Sequence, residues 1–162
     1  MQIKYIDVPQ RAFAVIKSTS LKKLRTSNLL FCTAFAGVNK SKDVAFLCHF
    51  DTPLSLLDTE HVLSQICNAS SDGDEFEGHI IHGTPMLFPY SLLVALILYI
   101  HIIRKRELNI KVKYHGFLWF NLRRKISVSL NYKTKCWSSL HYCVEKNHTL
   151  IENKCWTMRN VT

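Results

Sequence analysis

Two strongly apolar runs separated by a short polar segment dominate the first third of the chain. Residues 29–38 and 44–50 flank residues 39–42, which are of the types that favour turns. Two such runs with a short connection predict a β-hairpin. Alanine and leucine alternate with phenylalanine along both runs, so both faces of the hairpin are apolar. A strand pair of this kind needs cover on both sides and predicts a layered α/β or sandwich core.

The size and composition of the chain favour one globular domain. The chain has 162 residues, a hydrophobic fraction of 48% and a charged fraction of 20%, which argues against a disordered protein. The five glycines and four prolines leave little room for a long linker. We expect residues 1–130 to form the main domain and residues 131–162 to form a basic, cysteine-containing extension packed on it.

The remaining secondary structure follows from the spacing of apolar residues. Besides the hairpin, strands are predicted at residues 2–8, 12–17, 110–114 and 126–130. Helices are predicted at residues 54–67, capped by Asp58 or Thr59, and at residues 90–106. Polar loops are predicted at residues 18–25 and 68–78. Helices interspersed with strands indicate an α/β domain.

A long uncharged segment raises the question of a membrane span. Residues 87–103 carry no Asp, Glu, Lys or Arg and are followed by Arg104, Lys105 and Arg106. The length is at the lower limit for crossing hydrocarbon, and Pro89 near its start shortens the continuous helix. Basic residues after a helix also complement its C-terminal dipole. We therefore expect a core helix, with membrane association only through residues 87–103 or a membrane-bound partner.

The net charge and the cysteines restrict the partners and the compartment. A formal charge of +9 suits nucleic acid, an anionic membrane or an acidic protein. The positive residues are dispersed and no nucleic-acid motif frames them, so we expect a solvated basic face and no nucleic-acid partner. No signal peptide is visible at the N-terminus. The six cysteines are then expected to be reduced, in the cytoplasm.

Hairpin geometry places a nucleophile beside a base. A turn centred between Lys40 and Ser41 opposes residues whose numbers add to 81, so Cys32 faces His49. Directly opposed side chains have Cβ atoms about 4.5–5.5 Å apart. An imidazole at that distance can stabilise a thiolate and activate it as a nucleophile. The alternative is that both are ordinary core residues, and a register slip of one residue would turn His49 to the other face and leave Cys48 as the better-placed neighbour.

Other polar residues are weaker candidates. Asp51 lies two residues beyond His49 and either orients the imidazole or simply ends the strand. His79 and His82 either line the mouth of a cleft or are ordinary loop or strand residues. The remaining cysteines and histidines match no compact zinc pattern, so we expect no metal: Cys136, His141, Cys143, His148 and Cys155.

The spacing of three residues resembles that of a known family. Thr26 lies six positions before Cys32, His49 lies seventeen after it, and Pro53 follows His49 by four. This pattern resembles the Thr, Cys and His of the chemoreceptor glutamine deamidases, the CheD family. The likeness covers about residues 2–130, including the order of the later helix and strands. The Gly-Ser that usually precedes the cysteine in that family is replaced here by Leu30 and Phe31.

The resemblance implies a fold and an activity. The fold would be a single three-layer α/β/α domain, related to the catalytic domain of cytotoxic necrotizing factor toxins, with a largely antiparallel or mixed central sheet. Cys32 would attack a glutamine side-chain amide, His49 would act as base, and Thr26 would orient the imidazole. The partner would be a protein with an exposed glutamine, met in the cytosol of this cell or of a target cell, and no cofactor would be needed.

Two other functions remain open at this point. The same Cys32 and His49 pair would serve a small-molecule amidase or a cysteine protease. A binding module that keeps the fold without catalysis is the alternative from a different class.

Overall fold

The structure is a computed structural model that describes residues 4–17, 22–27, 29, 31–39, 44–69, 75–83, 89–105, 109–115, 125–129 and 158–161. The strands in these residues are β1 (Lys4–Asp7), β2 (Ala12–Lys17), β3 (Lys22–Ser27), β4 (Thr33–Asn39), β5 (Val44–Phe50), β6 (Glu75–His82), β7 (Asn109–His115), β8 (Lys125–Ser129) and β9 (Arg159–Asn160). The helices are a 3₁₀ helix (Pro53–Asp58), α1 (Thr59–Ala69) and α2 (Pro89–Arg104).

The predicted hairpin forms the centre of a six-stranded mixed sheet. The strand order is β7-β6-β4-β5-β2-β9, with β4 and β5 antiparallel to each other. Strand β6 is antiparallel to β4 and β2 is antiparallel to β5, while the two outer strands run parallel to their neighbours. All residues of β4 and β5 are buried. The prediction of a mixed α/β domain built around this hairpin is confirmed.

Both helices pack on one face of the six-stranded sheet. This face carries the phenylalanines of the hairpin, with the rings of Phe35 and Phe46 4.8 Å apart between centroids. Gly37 is paired with Phe46, whose ring occupies the space that a Cβ at position 37 would need. The buried residues that α1 and α2 contribute to this core are Val62, Leu63, Ile66, Val94, Ala95, Leu98 and Ile102.

The opposite face packs against a second sheet in the described residues. This three-stranded sheet has the order β1-β3-β8, with β1 parallel and β8 antiparallel to β3. Its Leu24 joins the small side chains of the six-stranded sheet, including Ala34 and Ala36, in one buried cluster. The layers are therefore helices, six-stranded sheet and three-stranded sheet, whereas helices had been expected on both sides.

Strands β3 and β6 begin in segments that were predicted to be loops. In β3, Leu24 and Thr26 are buried, and they alternate with basic residues that made the segment look like a loop. In β6, the acidic side chains that suggested a loop form ion pairs with β7. Glu75 pairs with Lys111 and Glu77 with Lys113, each at 2.6 Å. These ion pairs between neighbouring strands therefore explain how β6 accommodates its acidic residues.

The helices differ in detail from those predicted. The segment predicted as one helix over residues 54–67 begins as the 3₁₀ helix, which has Pro53 in its first turn, and continues as α1. Helix α2 ends two residues earlier than predicted. No helix among the described residues is both long and apolar enough to span a membrane.

The last described residues belong to the same domain. Met158 is buried in the core on the helix side, and its backbone N–H donates a 2.6 Å hydrogen bond to Asp58 Oδ2. Strand β9 then pairs with β2 at the sheet edge. The five cysteines and histidines considered as zinc ligands lie outside the described residues, and the boundary at residue 130 stays a prediction.

Candidate active site

The prediction that Cys32 and His49 are directly opposed is wrong, but the two residues do lie on the same face of the sheet. Strand β4 continues through Asn39, which pairs with Val44, so the turn lies one residue later than predicted. His49 is therefore opposed to Ala34, two residues from Cys32. A shift of the turn by one residue moves every opposed partner by two, which keeps each side chain on its own face. Cys32 is thus a diagonal neighbour of His49, at a typical separation of about 7–8 Å.

Cys32 immediately precedes β4, just beneath the surface. Its carbonyl oxygen accepts a 2.9 Å hydrogen bond from Gly83 N, which extends the pairing of β4 with β6 by one residue. Its side chain joins the cluster of Ala34 and Ala36, on the face of the sheet that bears His49. Cys32 is 3% exposed, whereas the preceding Phe31 is 44% exposed. The sulfur is therefore covered but lies next to the surface.

Thr26 reaches His49 from the second sheet. Its Oγ1 lies 2.7 Å from His49 Nδ1 and donates a 2.7 Å hydrogen bond to the carbonyl oxygen of Val8. All three residues are buried. Strand β3 supplies Thr26 because its pairing with β1 and β8 holds it over the hairpin. The structure therefore brings Thr26 into contact with the imidazole that it was expected to orient.

These two contacts fix the tautomer of His49. A hydroxyl has one proton, and that of Thr26 goes to Val8 O. The contact with His49 must then be a hydrogen bond donated by Nδ1–H to Thr26 Oγ1. In a neutral imidazole, Nε2 is then left with a lone pair that can accept a proton.

Burial keeps His49 neutral. The side chain is completely buried, which lowers its pKa to about 4, although the negative charge of Asp51 and the Val8 carbonyl act in the opposite direction. Nε2 has no hydrogen-bond partner among the residues that the structure describes. A buried imidazole nitrogen without a partner is uncommon in a merely structural histidine. This makes Nε2 the candidate base.

The resting thiol of Cys32 is also neutral. Burial, followed by the negative charge of Asp51, raises its pKa to about 12, while Arg11 and a backbone hydrogen bond of Phe31 act in the opposite direction. The surroundings of Cys32 therefore favour the thiol over the resting thiolate that was expected. A neutral thiol that shares a sheet face with a neutral imidazole can react only if the proton moves during attack.

The short connection between β1 and β2 completes the site. Arg11 N donates a 3.0 Å hydrogen bond to His49 O, and Arg11 Nε lies 2.5 Å from Asp51 Oδ2. Gln10 Nε2 donates a hydrogen bond of 3.8 Å to Cys32 Sγ. Sequence reasoning missed Gln10 and Arg11, because a polar pair after Pro9 indicates only a break between strands. Asp51 acts on His49 through its charge, with the carboxylate bound to Arg11.

The other candidate residues have separate surroundings. His79 Nε2 lies 3.7 Å from Glu77 Oε1, and His82 Nδ1 lies 2.7 Å from Gly83 O. Cys48 is buried on the helix side of the sheet, opposite to the face of Cys32. No group of three side chains suited to hold a metal occurs within the described part of the chain.

Comparison with protein-family models and with curated protein sequences finds no match for the chain.

Proposed function

We propose that the chain is a cysteine-dependent protein glutamine deamidase, with Cys32 as nucleophile and His49 as base. The observation that carries the proposal is the hydrogen bond between Thr26 and His49 Nδ1. It leaves Nε2 as a proton acceptor on the sheet face that also bears Cys32. The spacing of the three residues, shared with the CheD family, supports glutamine as the side chain that is attacked.

The first half of the reaction forms a thioester. His49 Nε2 accepts the thiol proton as Cys32 Sγ bonds to the side-chain carbonyl carbon of glutamine. The resulting tetrahedral intermediate carries negative charge on its oxygen. When the intermediate collapses, the carbon–nitrogen bond breaks and the nitrogen takes the proton back from Nε2, which releases ammonia.

The second half regenerates the enzyme. A water molecule gives a proton to His49 Nε2 and bonds to the thioester carbon. Collapse of this second intermediate breaks the carbon–sulfur bond, and the sulfur recovers its proton from Nε2. The product is glutamate, and Thr26 keeps Nδ1 protonated through both halves so that the same nitrogen accepts and returns each proton.

A neutral resting pair suits this cycle. The pKa of His49 is lowered to about 4 and that of Cys32 is raised to about 12, so neither group is charged near neutral pH. The imidazole becomes positive only as the sulfur becomes bonded to carbon and the oxygen becomes negative. Proton transfer in the transition state is the ordinary form of general base catalysis.

The partner and compartment follow from the same proposal. Glutamine in a protein must reach Cys32 beside the exposed Phe31, so the target needs an exposed glutamine on a loop or chain end. The three cysteines within the described residues, Cys32, Cys48 and Cys67, are free thiols. A thiol nucleophile of this type suits the reducing cytosol, of this cell or of a target cell.

Ammonia release tests the proposal. Benzyloxycarbonyl-Gln-Gly and unfolded β-casein serve as glutamine substrates for wild type, Cys32→Ala and Cys67→Ala. Cys67 is a half-buried cysteine on α1, away from the site, and is the matched control. We expect Cys32→Ala alone to lose activity.

Two other results decide against deamidation. Cleavage of the casein backbone that depends on Cys32 would indicate a protease that uses the same pair. Equal signals from wild type and Cys32→Ala on both substrates would favour the binding module.

A further inference from the structure

The side chain of Gln10 lies against the sulfur of the proposed nucleophile. Its Nε2 donates a 3.8 Å hydrogen bond to Cys32 Sγ across 22 positions of sequence. Sulfur is a weak acceptor, so this contact contributes little to stability. Its importance is geometric, because it places an amide N–H next to the atom at which the proposed reaction begins.

The connection that carries Gln10 is held in place by β5. Arg11 is bound to this strand through its backbone N–H, which donates to His49 O, and its side chain pairs with Asp51 directly after the strand. Its φ of 54° lies in the left-handed region, which residues other than glycine rarely adopt. Such a conformation persists when surrounding contacts determine it. The strand that bears His49 therefore also positions Gln10.

The proposed reaction needs a hydrogen-bond donor at this place. In the tetrahedral intermediate, the negative oxygen and Sγ are bonded to the same carbon. Asp51 disfavours negative charge here, as its effect on Cys32 shows, and the guanidinium of Arg11 is already paired with Asp51. The backbone of Phe31 forms one hydrogen bond that favours negative charge at Cys32. A second donor would complete an oxyanion hole.

We propose that the side-chain amide of Gln10 is this second donor and stabilises the oxyanion formed when Cys32 attacks. The inference rests on the proposed function and adds a catalytic residue to it. In the resting state the N–H points to sulfur. During attack this N–H turns from the sulfur to the developing negative oxygen, which is bonded to the same carbon as the sulfur. The amide remains neutral and is unchanged at the end of the cycle.

The test distinguishes stabilisation of the oxyanion by Gln10 from a purely structural role of this residue. Gln10→Met keeps the length of the side chain and removes the donor, and Gln65→Met on α1 makes the same change elsewhere. Turnover of benzyloxycarbonyl-Gln-Gly gives kcat and KM. Alkylation of Cys32 by iodoacetamide at pH 9 gives the reactivity of the thiol in a reaction that forms no oxyanion. Unfolding in urea gives the stability of each variant.

We expect Gln10→Met to lower kcat by roughly 10²- to 10³-fold, the effect of removing one oxyanion donor, with little change in KM. The alkylation rate and the urea midpoint should stay close to those of wild type. Gln65→Met should keep the wild-type kcat.

Three outcomes overturn the inference. A wild-type kcat in Gln10→Met would show that the amide does not act on the intermediate. Parallel losses of kcat, alkylation and stability would show that Gln10 only shapes the site. If wild type itself has no turnover that depends on Cys32, the proposed function fails and this inference fails with it.

Discussion

Thr26 Oγ1 and His49 Nδ1 lie 2.7 Å apart, although they belong to different sheets and are separated by 23 positions of sequence. The contact joins the three-stranded sheet to the hairpin, on the sheet face that also bears Cys32. Because the hydroxyl proton is used by Val8 O, the contact also leaves Nε2 as the ring nitrogen that can accept a proton. The proposed chemistry depends on this one buried hydrogen bond.

Replacement of Thr26 tests that dependence. Thr26→Val keeps the shape of the side chain but removes the hydroxyl, so His49 Nδ1 and Val8 O lose this hydrogen-bond partner. The free energy of unfolding should fall by about 1–3 kcal/mol, the penalty for unsatisfied buried polar groups. The value of kcat should fall by roughly 10²-fold, because the tautomer that supplies the base is no longer held.

Thr26→Ser is the matched control because it restores the hydroxyl. Chemical denaturation and ammonia release on the two variants measure both effects. If Thr26→Val loses stability but keeps kcat, Thr26 is a structural residue only.

The pH dependence of stability should report the burial of His49. Its pKa is about 4 in the folded protein and 6.5 ordinarily, so the unfolded chain binds more protons between these values. The free energy of unfolding should therefore rise as pH increases from about 4 to about 6.5, by roughly 3 kcal/mol for this group. The acid limb of kcat/KM should likewise lie near pH 4.

Urea unfolding of wild type and His49→Gln over this range isolates the contribution, because other titrating groups are common to both. The difference in stability between them should change with pH. A constant difference would show that His49 titrates alike in the folded and unfolded chains.

Asp51 and Arg11 should shift the pKa of the Cys32 thiol in opposite directions. Asp51 raises the pKa of Cys32 and Arg11 lowers it, while burial is the larger cause. Asp51→Asn should therefore lower the pKa and speed alkylation of Cys32, and Arg11→Met should raise the pKa and slow alkylation. Iodoacetamide labelling from pH 8 to 11, followed by peptide mass spectrometry, measures the rate at each pH.

The control for this pair is the rate at Cys67 in the same samples, which neither substitution should change. Changes of the same sign at Cys32 in both variants would indicate that the substitutions loosen the site and do not act through charge.

Sequence reasoning predicted the face of each hairpin residue but not the register. Alternation of alanine with phenylalanine decides which side chains share a face, and this holds for Cys32, Ala34 and His49. Register depends on where the turn begins, and Asn39 favours turns as much as the residues after it. Its buried position at the end of β4 is decided by pairing with Val44 on β5.

The second sheet was not predicted because the composition of β3 is unusual for a strand. Leu24 and Thr26 of β3 are buried, but the basic residues of this segment resemble those of a loop. Gln10 was hidden for a different reason. Its place beside Cys32 depends on contacts of Arg11 with β5, and no local pattern in the sequence encodes contacts between distant segments.

The central claim is that Cys32 converts glutamine to glutamate, and isotope labelling tests it most directly. Unfolded β-casein is incubated with wild type or Cys32→Ala in water enriched in ¹⁸O, and its peptides are sequenced by mass spectrometry. The account predicts that wild type produces glutamate carrying ¹⁸O at former glutamine positions, that asparagine positions stay at the level of the enzyme-free sample, and that Cys32→Ala produces none. Equal labelling with wild type and Cys32→Ala, or labelling only at new peptide ends, would contradict it.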